Sequence, residues 1–203
     1  EFFGGTADAK NVVITGAGDD AVDWTDGWVG RIQYLIVEGK QGDDYGFEGD
    51  NRSDSAPDTQ PRSTPQIANY TILGFNDETP GARFREGMGG DFVNGIIVNT
   101  SKGLDIDGVR SNEMATGTPA PVDMETLEFD GLFLDTAENI DDDDGNVAAV
   151  TAAIGNLTEG VSSMTGFSFF GSAVRGVVPG TTDASDSAGD PVRPNSVDPI
   201  SDR

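Results

Sequence analysis

Four carboxylates crowd the stretch Gly18-Asp19-Asp20-Ala21-Val22-Asp23-Trp24-Thr25-Asp26-Gly27. Set at a turn that enters a strand, Asp19, Asp20, Asp23 and Asp26 could supply several of the roughly six to eight oxygen ligands that a calcium ion takes. Glu48 joins this candidate metal set, because the repeat described below brings it beside Asp23. The competing reading is a structural turn whose acids are only solvated. Arg83-Phe84-Arg85 offers two guanidinium groups, able either to grip a uronate carboxylate or to neutralise neighbouring acids. Trp28 is a candidate platform for a sugar ring, whereas Trp24 is expected to face inward.

The composition narrows the chemistry around these residues. With no cysteine and no histidine, the chain has no disulfide, thiolate or imidazole, which removes the commonest general base and the usual transition-metal ligands. Any metal should be a hard cation held by oxygen, with calcium first. A net charge of -24, from 36 acidic against 12 basic residues, repels phosphate backbones and anionic lipid, so nucleic acid is not an expected partner. The longest apolar stretch, Val147 to Ile154, is too short to cross a bilayer, and direct membrane insertion of this chain is not expected. Glu1-Phe2-Phe3-Gly4-Gly5 reads as strand from the first residue, as in a chain whose preceding sequence has been removed.

What must position the acids is an internal repeat. Five segments align: Asn11-Val12-Val13-Ile14-Thr15, Gln33-Tyr34-Leu35-Ile36-Val37, Asn69-Tyr70-Thr71-Ile72-Leu73, Asn94-Gly95-Ile96-Ile97-Val98 and Asp130-Gly131-Leu132-Phe133-Leu134. Each opens on a polar side chain and continues with β-branched or aliphatic residues, the composition of a half-buried strand. Second strands follow the first four: Ala21-Val22-Asp23-Trp24, Gly46-Phe47-Glu48-Gly49, Gly81-Ala82-Arg83-Phe84 and Gly103-Leu104-Asp105-Ile106. The opening residues are 22, 36, 25 and 36 apart, which fits bare coils of a solenoid alternating with coils that carry an insertion. The insertions, about 50–65 and 109–126, lack periodicity and are expected as surface loops.

The expected fold is therefore all-β, a right-handed parallel β-helix (solenoid) with long loop insertions and an irregular C-terminal segment containing a short helix. Residues 1–135 form the coils, 136–178 a capping segment with a helix near Asn146 to Leu157, and 179–203 an extended linker or tail. Phe167 to Phe170 and Val174 to Val178 are expected as a last strand or an end plug. Alternation along the second strands turns Val22, Phe47, Ala82, Leu104, Trp24, Phe84 and Ile106 inward. It stacks Glu1, Asp23, Glu48, Arg83 and Asp105 outward, about 4.8 Å apart. Three successive acids need a cation, water or a raised pKa to coexist. Asn11, Gln33, Asn69, Asn94 and Asp130 are expected to form a second, structural polar ladder. The run Asp141-Asp142-Asp143-Asp144-Gly145 is not an EF-hand, since Ile140 would occupy the first ligand position.

Three segments carry a resemblance. Glu1 to Gly5, Gly18 to Trp28 and Gly46-Phe47-Glu48-Gly49-Asp50-Asn51 look like predicted secreted or outer-membrane β-helix proteins of Gram-negative, often marine, bacteria. More broadly, residues 1–135 resemble the pectate-lyase-like superfamily of right-handed β-helices. That resemblance implies a secreted or outer-membrane-surface location. The leading expectation for function, drawn from the residues themselves, is a non-catalytic binding, adhesion or assembly module stabilised by calcium. The expected partners are extracellular polysaccharide or neighbouring copies of the chain. The alternative it implies is a lyase or glycoside hydrolase acting on acidic glycans through Asp19, Asp20, Asp23 and Arg83. Asp19-Asp20 is similar to the acidic pair of polygalacturonase-type glycosidases, but that family's histidine and Arg-x-Lys clamp are missing here.

Overall fold

A computed structural model of the chain describes residues 1–52, 57–117, 126–142, 146–162 and 164. Among the described residues, twelve strands fall into two six-stranded sheets whose every pairing is parallel. Sheet A comprises β1 (Phe2–Gly5), β3 (Val22–Trp28), β5 (Phe47–Asp50), β7 (Ala82–Arg85), β9 (Lys102–Ile106) and β11 (Glu138–Asp142). Sheet B comprises β2 (Ala9–Thr15), β4 (Arg31–Glu38), β6 (Gln66–Leu73), β8 (Gly90–Val98), β10 (Leu127–Asp135) and β12 (Thr158–Glu159). Successive strands alternate between the sheets, so each strand pairs with the one two elements away. Distant residues thereby become neighbours along the stack, as the repeat requires.

The sheets face each other across an aromatic core. Trp24 of sheet A lies 6.0 Å from Phe92 of sheet B, Phe84 lies 4.9 Å from Phe92, and Phe47 lies 5.3 Å from Tyr70. Period-two alternation in the short second strands puts Val22, Phe47, Ala82, Leu104, Trp24, Phe84 and Ile106 in this core, all buried. Gly49 occupies the place of an inward side chain because Trp24 fills the room: a Cβ there would meet the indole Cζ2 at 2.4 Å.

Sheet B bends once per repeat at one register position. Asn11, Tyr34, Asn69, Asn94, Gly131 and Asn156 have φ of 57°, 61°, 57°, 58°, 70° and 52°. The left-handed region penalises most side chains but admits glycine readily and asparagine more easily than other residues. This column corrects the expected polar ladder. Gln33 and Asp130 stand one residue before the bend, paired with Lys10 and Ala68 and with Val93. Asn69 and Asn94 do share a hydrogen bond between their amides, Nδ2 of Asn94 donating to Oδ1 of Asn69 at 2.6 Å.

Three further expectations change. Trp28 is no exposed platform: it is fully buried, stacked on Phe2 at 4.3 Å, with its indole N–H donating to the carbonyl of Ala7 at 3.2 Å. Asp26 and Gly27 both have positive φ, which turns Asp26 out of the alternation to solvent, while Trp28, four residues after Trp24, keeps the inward side that the period gives it. The second insertion is not all loop, since Val109–Thr116 forms helix α1, closed by Gly117 in the left-handed conformation. Strand pairing also continues past residue 135, through β11 and β12, with helix α2 (Val147–Ala153) between them. The expected plug at Phe167 to Phe170 and Val174 to Val178, and the tail from 179, lie outside the described residues. No helix among the described residues is long and apolar enough to cross a membrane.

Candidate functional site

The outer side of sheet A gathers the chemistry. Asp23 pairs in register with Glu48, Glu48 with Arg83, Arg83 with Asp105, and Asp105 with Asp141. Phe2 pairs with Trp24, which sets Glu1 beside Asp23 and completes the column. Its cause is local, because the residues between inward-facing neighbours must face out. Asp141, first of the acidic run rejected as an EF-hand, extends the column by one rung past Asp105. A parallel column holds Asp50, Arg85 and Asp107, where Asp50 pairs with Arg85 and Asp107 follows the partner of Phe84.

One end of this face is neutralised. Arg83 hydrogen-bonds Asp107, lies 3.8 Å from Asp105 and 4.0 Å from Glu48, and sits 5.5 Å over the Tyr45 ring. Arg85 binds Asp50 at 2.8 Å and Glu48 at 2.9 Å. Lys102 bridges Asp105, at 3.3 Å, and Asp141. Burial alone would lower the pKa of either arginine, but the hydrogen bonds that Arg83 donates to Asp107 and Arg85 to Asp50 carry both above the usual arginine value. Burial pushes the Tyr45 phenol up to about 12, and its hydroxyl donates to Asp105 Oδ2 at 3.2 Å.

Toward Glu1 the column is acid-rich. Burial, a hydrogen bond to Glu1 and the charges of Glu1, Asp20 and Asp50 push Asp23 up to about 7. Burial also pushes Glu48 up to about 7, against the pull of Arg85, with Asp20, Asp50 and Asp23 adding to the rise. Asp23 and Glu48 thus tolerate each other partly by keeping protons near neutrality.

The acid-rich turn splits the expected metal set. Carboxylate oxygens of Asp19 and Asp20 lie within 4.8 Å of each other and of Asp44, a residue the sequence reading passed over. Asp20 accepts the Tyr45 N–H at 2.8 Å and Asp44 N donates to the carbonyl of Asp19 at 3.2 Å, tying the loop before β5 to the turn before β3. Burial raises the pKa of Asp20, and Asp44 and Asp19 add to that. Asp23 and Glu48 belong instead to the column. Asp26 sits elsewhere, 3.9 Å from Arg52, at a cleft of about 140 Å³ lined also by Asn51, Thr59, Gln60 and Pro61. That volume is below the roughly 300 Å³ at which small-molecule pockets begin. The missed partner had a signal in Asp43-Asp44, which precedes its strand as Asp19-Asp20 precedes β3.

A family model described as a pectate-lyase like beta helix domain matches residues 1–169. No curated protein and no solved structure matches the chain.

Proposed function

The chain belongs to the family of pectate-lyase-like β-helix domains, and from that premise we propose that it is a non-catalytic binding and structural module, stabilised by calcium, of the cell surface or extracellular space. On this reading the two sheets are walls of a right-handed solenoid. Parallel strands joined by a crossover take the right hand in about 98 % of cases, and here every crossover passes through the opposite sheet.

The observation that supports a non-catalytic role is the state of the two arginines. A lyase needs an arginine or lysine able to give up its proton, and Arg83 and Arg85 are both enclosed by carboxylates that favour the protonated form. A hydrolase needs two carboxyls about 5–9.5 Å apart with a sugar between them. One carboxylate oxygen from each of Asp19, Asp20 and Asp44 lies within 4.8 Å of the others, near enough to share a cation. Calcium there would leave coordination positions for the carboxylates of an acidic polysaccharide or of a neighbouring copy. Action on acidic glycans is the second reading, and the family premise is what favours it.

Two measurements test the proposal. Incubation with pectin, alginate and related polymers should release neither unsaturated product nor new reducing ends; activity that disappears in Asp20→Asn or Arg83→Lys would overturn the non-catalytic reading. Calcium titration should give heat in the wild type and none in Asp44→Asn, and chelator should lower the melting temperature. An unchanged melt together with a silent titration removes calcium from the proposal.

A further inference from the structure

Two unrelated demands meet in β8. The strand bends at Asn94, where φ is 58°, a conformation that favours asparagine or glycine. The next residue pairs in register with Tyr70 and Leu132, and a Cβ on Gly95 would overlap the Tyr70 ring, so packing admits only glycine there. Backbone and core together therefore write Asn94-Gly95, the one asparagine-glycine pair in the chain.

That pair is chemically labile. Asparagine is a thermolabile residue, and a glycine after it leaves the peptide nitrogen unshielded and the backbone free to turn. The nitrogen of Gly95, on losing its proton, can attack Cγ of Asn94; the bond from Cγ to Nδ2 breaks, ammonia leaves and a cyclic imide joins the two residues. Water, the only co-reactant, then opens one of the imide carbonyls to give aspartate or isoaspartate. In the folded chain the attack is held off. The Asn94 amide is fixed by its hydrogen bond to Asn69 Oδ1 at 2.6 Å, and Gly95 is pinned between the neighbouring strands. We propose that Asn94 is a self-modification site, kept closed by the ladder and reactive once β8 leaves β6 and β10.

The two products leave different chains behind. Aspartate at position 94 keeps the backbone, and its carboxylate can accept from Asn69 Nδ2, a buried donor with no hydrogen-bond partner among the described residues, once that amide turns over. Isoaspartate routes the chain through Cγ and adds an atom to β8. It displaces Ile97 and Val98, both fully buried, from register with Ile72 and Leu73 on one side and with Leu134 and Asp135 on the other. A stack that opens and forms isoaspartate does not close again, so its unfolding becomes one-way. The inference is independent of calcium and of any glycan.

The test incubates the full chain in mildly alkaline buffer, folded and in guanidinium chloride. Ammonia release is followed together with the peptide spanning Asn94-Gly95, by mass spectrometry that separates aspartate from isoaspartate. The unfolded chain should lose this amide, and the folded chain should lose it at least about tenfold more slowly, since attack must wait for the ladder to open. After the denaturant is removed, the fraction that refolds should fall in step with isoaspartate, while Asn94→Asp refolds. Asn94→Gly keeps the bend without an amide, as Gly131 does, and should refold to the same extent however long it stays denatured. Equal rates in the folded and unfolded chains, or no reaction at this pair in denaturant, would overturn the proposal. A loss of refolding that Asn94→Gly shares would overturn it too. Should that variant fail to fold, the two wild-type rates still decide.

Discussion

Replacing Tyr34 by asparagine should stabilise the protein. Tyr34 holds φ at 61° in a column whose other members are asparagine or glycine. A left-handed conformation costs most side chains about 1–2 kcal/mol, much of which asparagine avoids. The neighbouring rung adds a second gain. Asn69 takes the amide of Asn94 on its Oδ1, but its own Nδ2 is buried with no hydrogen-bond partner among the described residues, facing a rung where a ring replaces an amide. An amide oxygen at position 34 would accept that donor, worth about 0.5–1.5 kcal/mol. Against these stand the loss of Lys10 over the Tyr34 ring, at 5.5 Å, and of the partly buried ring itself, together about 1–1.5 kcal/mol. The net is a gain of about 1 kcal/mol, or a rise of about 2–4 °C in melting temperature for a chain of this size. Thermal and urea unfolding of Tyr34→Asn should be compared with Tyr34→Gly, which relieves the backbone without an amide, and Tyr34→Ala, which does neither. The expected order of stability is asparagine, glycine, alanine. An asparagine variant no more stable than the alanine one would refute the reasoning.

Two other outcomes follow from the packing and the charge column. Asp23 and Glu48 keep protons up to about pH 7 when folded but lose them near pH 4 when unfolded, so the native state binds more protons between those values and stability should fall as pH rises from about 4 to 7. Both side chains are partly open to water, which reduces the combined effect to about 1–2 kcal/mol, and Asp23→Asn with Glu48→Gln should flatten the slope in urea titrations. A wild-type midpoint that rises across this window would contradict the shared-proton account. Gly49→Ala should cost about 1–3 kcal/mol and alter the near-ultraviolet spectrum of the tryptophans, since its Cβ would meet the Trp24 indole at 2.4 Å. Trp24→Phe removes the atoms it would strike, so the double variant should lose less than the sum, and additivity would count against this packing.

Much of this arrangement was legible because a stacked repeat writes the same physical demand into the sequence many times. The β-branched segments locate five strands of sheet B, and alternation in the second strands places seven inward residues and the outward charge column. The register of the polar ladder was misread at Gln33 and Asp130, because the demand at that position is a left-handed backbone, met by Tyr34 and Gly131, and polarity is only a correlate of it. Asn156 opens a further rung by the same rule, but only Leu157 marks it as strand. β11 has a single inward apolar residue, Ile140, too little for hydrophobic patterning to register. Trp28 was misplaced against the strand's own period, since it lies four residues after Trp24 and alternation already turns it inward; the successive positive-φ residues displace Asp26 instead. The acidic cluster gained Asp44 through a long-range register between turns, and lost Asp26 to the same break in β3.

The parallel pairing of strands that are never consecutive also determines how the molecule answers to force. Ladder bonds lie along the stacking direction, across the strands, and each strand is held chiefly by the one two elements earlier and the one two elements later. Tension on the chain ends therefore loads these bonds a few at a time at the terminal strand, peeling the stack instead of shearing it. Mechanical resistance would then be set by one rung and the aromatic side chains beneath it, and added rungs would lengthen the unravelling without raising the load it bears.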